Sequence, residues 1–179
     1  MSGDRPLRVA VIGTSGAGKT TIARALAAKL GVRHVELDAL FWLPDWQERD
    51  RDEFRASVIR VLDEPGGWVL DGNYSSIRDA VLERADTVVW LDLPMRTCVW
   101  RVTRRAVSRA RSREVLWGTN REPWRNVVGR DSLAWWVITT HGRRRRETEA
   151  RFRDPALRAR IRVHHFRSTR AAEAWVASV

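Results

Sequence analysis

Eight consecutive residues constrain this chain more than any other feature: Gly13-Thr14-Ser15-Gly16-Ala17-Gly18-Lys19-Thr20 fits the pattern G-x-x-x-x-G-K-S/T at every fixed position. Glycines at this spacing let successive backbone N–H groups turn inward around phosphate oxygens, where side chains would collide. The positive end of a following helix favours the anion. Lys19 reaches the outer phosphates, and the Thr20 hydroxyl suits a Mg²⁺ ligand. Thr21 completes the expected nucleotide contacts, so ATP and Mg²⁺ are the expected cofactors.

The flanking sequence supplies the required context. Leu7 to Ile12 reads as a short buried strand running into the loop. Ile22, Ala25, Leu26 and Leu30 then recur at helical spacing, with Gly31 as a stop. Further strands are predicted at His34–Leu37, Trp68–Leu70, Thr87–Leu91 and Arg160–Phe166. Helices are predicted at Asp52–Leu62, Ser75–Arg84, Met95–Arg113, Ser132–Thr148 and Ala171–Val179. Leu116–Arg130 contains Gly118, Pro123 and Gly129 and reads as a mobile excursion. Alternation of strands and helices predicts an α/β fold with a parallel sheet covered on both faces.

At 179 residues the chain suits one domain, 1–179, with a lid-like excursion at about 109–131. Its single cysteine, Cys98, excludes an intramolecular disulfide and reads as inert packing. No apolar run is long enough to span a membrane, and the start MSGDRPLR lacks a signal-peptide core, so a cytoplasmic protein is expected. Residues 1–95 carry 12 basic against 15 acidic residues, whereas 96–179 carry 21 arginines against 7 acids. The net charge of +11 therefore belongs to the second half, which implies a polyanionic partner.

Beyond the loop, several segments resemble the adenylate-kinase-like branch of P-loop proteins. Trp68-Val69-Leu70-Asp71-Gly72 is similar to the strand that ends in Asp-Gly in nucleoside monophosphate kinases. Ala85–Pro94 resembles the fourth strand with its Leu-Asp-x-Pro ending, and Phe166-Arg167-Ser168-Thr169 the adenine-contacting loop. The resemblance implies a P-loop NTPase three-layer α/β/α fold with a five-stranded parallel sheet and a helical, arginine-rich lid region. It implies that Asp71 acts on Mg²⁺ and that Arg101 and Arg105 neutralise phosphate charge. Asn73-Tyr74-Ser75 replaces the Phe-Pro-Arg of adenylate kinases, and their AMP-recognising Thr-Gly and arginine are absent, which counts against AMP as acceptor. Asp38, the pair Trp42 and Trp46, and Asp71–Tyr74 look closer to a bacterial group labelled adenylate-kinase-like, or DNA topology modulation protein.

Asp38 follows the second strand at the sheet's carboxyl edge, where ligands bind in such folds. It is the candidate for holding an acceptor hydroxyl and taking its proton, the competing reading being a helix N-cap or surface carboxylate. Trp42 and Trp46 either sandwich a ring or simply pack, and Asn73 and Tyr74 either bond the acceptor or serve structure. Seven arginines and no acid lie between Arg96 and Arg113. Of these Arg101 and Arg105 are the expected catalytic pair with Lys19 and Asp38; Arg121, Arg125, Arg130 and Arg143 are weaker lid candidates, and a solvated basic face is the alternative. The leading expectation is a kinase transferring the γ-phosphate of Mg-ATP to a small hydroxyl or phosphate acceptor. The alternative is a nucleotide-binding regulator that binds DNA or RNA through the arginine face.

Overall fold

The computed structural model describes residues 7–127 and 129–179, and for Arg125 the backbone only. In chain order the elements are β1 (Arg8–Gly13), α1 (Lys19–Leu30), β2 (Arg33–Glu36), α2 (Leu37–Phe41), α3 (Arg51–Asp63), β3 (Trp68–Asp71) and α4 (Arg78–Arg84). There follow β4 (Thr87–Leu91), α5 (Met95–Ser112), β5 (Val115–Leu116), β6 (Asn120–Arg121), α6 (Leu133–Arg151), α7 (Pro155–Arg160), β7 (Arg162–Phe166) and α8 (Thr169–Ser178).

Five strands form one parallel sheet in the order β2-β3-β1-β4-β7. Successive side chains point to opposite faces, so nearly every residue of the central strands is apolar. Val9, Val11, Val69, Val89 and Leu91 meet Ile22 and Leu26 of α1, Cys98 and Val102 of α5, and Val176 of α8. Ala10, Trp68, Leu70, Val88 and Trp90 face Phe54, Val58 and Leu62 of α3 and Val81 of α4. Phe54 and Leu62 are at most 1% exposed, and burying side chains of this kind contributes about 1.5–3 kcal/mol each.

The helix ends follow local chemistry. α1 starts after Gly18 and stops at Gly31, both left-handed, and the Gly31 N–H closes onto the Ala27 carbonyl. The Asp50 carboxylate caps α3 by accepting from the Asp52 and Glu53 N–H groups, and the Ser132 hydroxyl caps α6 through the Trp135 N–H.

Besides the strand predicted at Arg160–Phe166, which starts at Arg162 because Pro155–Arg160 forms α7, two expectations change. The excursion at 116–130 holds some regular structure: β5 and β6 pair antiparallel, Val115 opposite Arg121 and Leu116 opposite Asn120, and a 3₁₀ turn follows at Trp124–Asn126. Gly118 marks the tight hairpin turn, with Trp117 and Gly118 both at positive φ, and Pro123 precedes the 3₁₀ turn. The second is the predicted strand at His34–Leu37, which ends at Glu36 because Leu37 already opens α2. Among the described residues no helix is long and apolar enough to cross a membrane.

Candidate active site

β1 is flanked by β3 and β4, and its carboxyl end delivers the phosphate loop to the point where the sheet's connections change direction, the usual ligand crevice of such sheets. The loop's shape requires glycine at three places, the first being Gly13, where a Cβ would lie 2.6 Å from the Leu91 carbonyl oxygen. A Cβ on Gly16, whose φ is +83°, would lie 2.5 Å from the Cys98 carbonyl oxygen, so the loop packs directly on α5. Gly18, at φ +90°, caps the 12-residue α1, which has no acid in its first turn and no side-chain cap on its N–H groups. That end is electrostatically open to an anion. Thr21 stands exposed on the first turn.

Lys19 Nζ donates a long bond, 3.3 Å, to the Thr14 carbonyl, and no carboxylate among the described residues pairs with it. Burial pulls its pKa below the usual lysine value, and the more distant Asp38 and Asp71 only partly oppose this. An ammonium held at such cost is stabilised by an arriving anion. Thr20 Oγ1 donates to Asp71 Oδ1 at 3.3 Å, and His34 Nε2 lies 2.7 Å from Asp71 Oδ2. Burial pushes the Asp71 carboxyl up, against the bond to His34 and the charge of Lys19. A buried carboxylate beside a hydroxyl is a hard-oxygen set of the kind Mg²⁺ prefers. Both the lysine and the oxygen pair therefore fit a Mg²⁺-nucleotide.

A cleft of about 720 Å³ opens from this edge, lined among others by Lys19, Asp38, Asn73, Tyr74, Arg105 and Arg144. Asp38 lies in the first turn of α2 but caps nothing; its Oδ1 accepts from the Tyr74 hydroxyl at 2.6 Å. Burial, with Asp38 second, raises the Tyr74 phenol well above its usual range, so it stays a donor. Arg105 reaches the cleft from α5. The enclosing walls and then Arg109 lower its pKa, against the charge of Asp38, even though much of the side chain meets solvent; a guanidinium nonetheless keeps its proton.

The structure separates the expected arginine pair. Arg101 does not line the cleft; its Nη2 donates to Thr169 Oγ1 at 2.9 Å, and its Nη1 borders Gly18. Arg143 is an exposed partner of Glu147, while Arg121 and Arg130 are exposed and the Arg125 side chain lies outside the described residues. The residue that does enter from α6 is Arg144. Its Nη2 donates to the Asn73 carbonyl, its guanidinium sits 5.0 Å over the Trp136 ring, and its Nε is buried without a partner. The sequence held a signal for it. Val137, His141 and Thr148 form the buried stripe of α6, and Arg144 alone of the run 143–146 shares that helical phase. His34 was also missed, and nothing local marks it, because its partner lies 37 residues on. Trp42 and Trp46 both line the cleft, across a break between α2 and a 3₁₀ turn at Pro44–Trp46 rather than on one helix.

A family model for the ATPase family associated with various cellular activities (AAA) matches residues 9–64, which contain the phosphate loop. The uncharacterized protein YqaC of Bacillus subtilis (strain 168) is 29% identical over 109 residues, 60% of this chain and 61% of that protein. The match thus spans about three fifths of the curated relative. A gluconokinase from Sinorhizobium meliloti 1021 superposes with a TM-score of 0.54 at 20% identity, covering 97% of this chain and 93% of that one. A shikimate kinase from Bacteroides thetaiotaomicron gives 0.55 at 17% identity, with 96% and 95% covered. The chain has the fold of P-loop small-molecule kinases. At these identities the likeness fixes architecture, and the acceptor must be argued from the cleft.

Proposed function

We propose that this protein is a Mg-ATP-dependent phosphotransferase acting on a small hydroxyl acceptor, akin to the bacterial adenylate-kinase-like group its segments resemble. The observation that carries the reading is the convergence of Lys19, Asp38 and Arg105 on one cleft that begins at the phosphate loop. The loop amides from Gly13 to Thr20 and the Lys19 ammonium hold the nucleotide's phosphates. Thr20 and Asp71 would hold a magnesium ion, which would supply charge neutralisation for the phosphates. His34 fixes the orientation of the Asp71 carboxylate.

Asp38 orients the acceptor hydroxyl and receives its proton, while Tyr74 keeps that carboxylate in one rotamer. Arg105 and Arg144 balance charge on the transferring group from the cleft side. Arg101, tied to Thr169, neutralises phosphate from the outer side of Gly18. The hairpin β5–β6 and the residue after it contribute Trp117 and Glu122 to the lining of the acceptor end. The test is ADP release from Mg-ATP across nucleosides, nucleoside monophosphates, sugar acids and 5′-hydroxyl oligonucleotides. Strong stimulation by one acceptor, lost in Lys19→Ala, is expected; tight ATP binding with no stimulation by any would sink the reading.

One observation favours nucleic-acid binding as a second reading. Trp100 is 59% exposed on α5 with Arg104 lying 5.3 Å over its ring, the pairing of stacking platform and cation that single strands use. Oligonucleotide affinity that falls steeply with added salt would support it.

A further inference from the structure

Four of the ten tryptophans line the cleft: Trp42, Trp46, Trp117 and Trp136, each retaining contact with solvent. Three of them form an edge-to-face row. Trp42 and Trp46 lie 5.4 Å apart at 80°, and Trp46 and Trp117 5.9 Å apart at 82°. Trp68, by contrast, is fully covered in the core. These rings are instead held open, and the backbone is strained to hold them. Trp46 and Trp117 have φ of 56° and 36°, values a bulky residue adopts only when its surroundings dictate them.

The dictating residue is Asn120, 2% exposed. Its Oδ1 accepts from the Trp46 N–H at 2.7 Å, and its Nδ2 donates to the carbonyls of Leu43 at 2.9 Å and Trp117 at 3.2 Å. Trp46 Nε1 donates to the Arg121 carbonyl at 2.8 Å. One buried amide thus clasps the hairpin β5–β6 to the segment after α2 and sets the Trp row. Glu48 and Glu122 line the same cleft and have no ion-pair partner among the described residues, despite the chain's excess of arginine. They remain free to accept hydrogen bonds from hydroxyl groups.

We infer that this end of the cleft is a ring-binding subsite, so that the acceptor is a cyclic polyhydroxyl compound laid against the tryptophan row, and that Asn120 positions that row. The inference rests on the phosphotransferase reading for its site, not for its chemistry. A sugar ring or the ring system of a nucleoside offers an apolar face to indole and a hydroxyl edge to Asp38, Glu48 and Glu122. An open-chain polyol offers no flat face and loses more rotational freedom on binding.

The experiment is calorimetric binding of matched probes to the full chain: glucose and myo-inositol against sorbitol and gluconate, and ribose against adenosine and uridine to separate a sugar from a nucleoside. At least one cyclic compound is expected to bind about tenfold more tightly than the open-chain probes, the upper end of the gain from one good ring contact. Trp117→Leu should shrink that ratio to roughly threefold or less, and so should Asn120→Ala, which removes no ring. ATP affinity, measured on the same variants, reports that they are folded. Equal or better binding of the open-chain probes, no binding by any cyclic probe, or a ratio that survives both variants would each overturn the inference. The two readings fail separately. A cyclic compound bound through Trp117 that draws no ADP release removes the phosphotransferase and leaves the ring subsite; ADP release drawn only by an open-chain polyol does the reverse.

Discussion

The two ends of the cleft bear backbone strain in different ways. At the phosphate end the left-handed positions are Gly16 and Gly18, residues for which positive φ costs little. At the acceptor end they are Asp45, Trp46 and Trp117, and Asn120, 74 positions along the chain from Trp46, accepts from the Trp46 N–H and donates to the Trp117 carbonyl. The first end is therefore encoded by one contiguous octapeptide, which many chains of this fold share. The second is assembled from segments that meet only after folding, which lets it vary while the sheet stays fixed. On the proposed reading, phosphate binding resides in the contiguous part and discrimination between acceptors in the assembled part.

That division predicts the largest effect at Lys19. Lys19→Ala should lower ADP release by roughly 10²–10³-fold, the scale for removing one preorganised charge partner of a transferring group. Its pH dependence sharpens the point. Burial lowers the Lys19 pKa in the free protein, so the buried charge costs stability at pH below the lowered value, and that cost fades as pH rises from there toward the 10.5 of an ordinary lysine. Nucleotide affinity runs the opposite way, because phosphate needs the ammonium. Affinity should begin to decline below 10.5, while Lys19→Arg, which cannot lose its charge, stays flat. Calorimetric titration of ATP at several alkaline pH values measures this. A decline of equal size in Lys19→Arg would assign it to another group.

Asp38→Asn comes next, at about 10²-fold in turnover, because an amide still bonds a hydroxyl but takes no proton. The acceptor's KM should move far less than kcat, and a change confined to KM would reduce Asp38 to a binding residue. Third is a stability effect at the junction of the two ends. Gly72 has φ +139°, and a Cβ there would lie 2.6 Å from Leu37 Cδ1, in the buried turn that delivers Asn73 and Tyr74. Gly72→Ala should destabilise the protein by about 1–3 kcal/mol, the usual scale for overpacking, read as a lower urea midpoint. An unchanged midpoint would mean that Leu37 has room to move.

How much could be read in advance follows the same division. The parallel sheet was legible because buried strands carry continuous apolar runs such as Val88–Leu91, and the phosphate loop because its geometry demands glycine at fixed spacing. Asp38 was legible as a position at the sheet edge, though its hydrogen bond to Tyr74 was not. Arg144 was obscured by its three arginine neighbours, which only the phase of α6 sorts. Asn120 and His34 carried no local mark, since each acts on partners distant in sequence: Asn120 on Leu43 and Trp46, His34 on Asp71. Pattern reading captures what period and spacing encode, and these contacts are encoded by the completed topology.

The smallest effect tests whether the acceptor end is as well built as the phosphate end. Tyr74→Phe keeps the ring, which packs against Phe41 and Phe54 with centroids 4.7 and 5.1 Å away, and removes only the hydroxyl that bonds Asp38. A hydrogen bond to a charged acceptor contributes about 1.5–3 kcal/mol, but the Asp38 carboxylate lines the cleft, where water can replace the lost donor. The expected result is therefore a loss of about threefold to tenfold in kcat/KM, near 1 kcal/mol, with the urea midpoint almost unchanged. A loss as large as that of Asp38→Asn would make Tyr74 a partner in proton transfer rather than a support. No loss at all would mean that the packing around α2 alone holds the carboxylate in place, and that the acceptor end is set by its tryptophans.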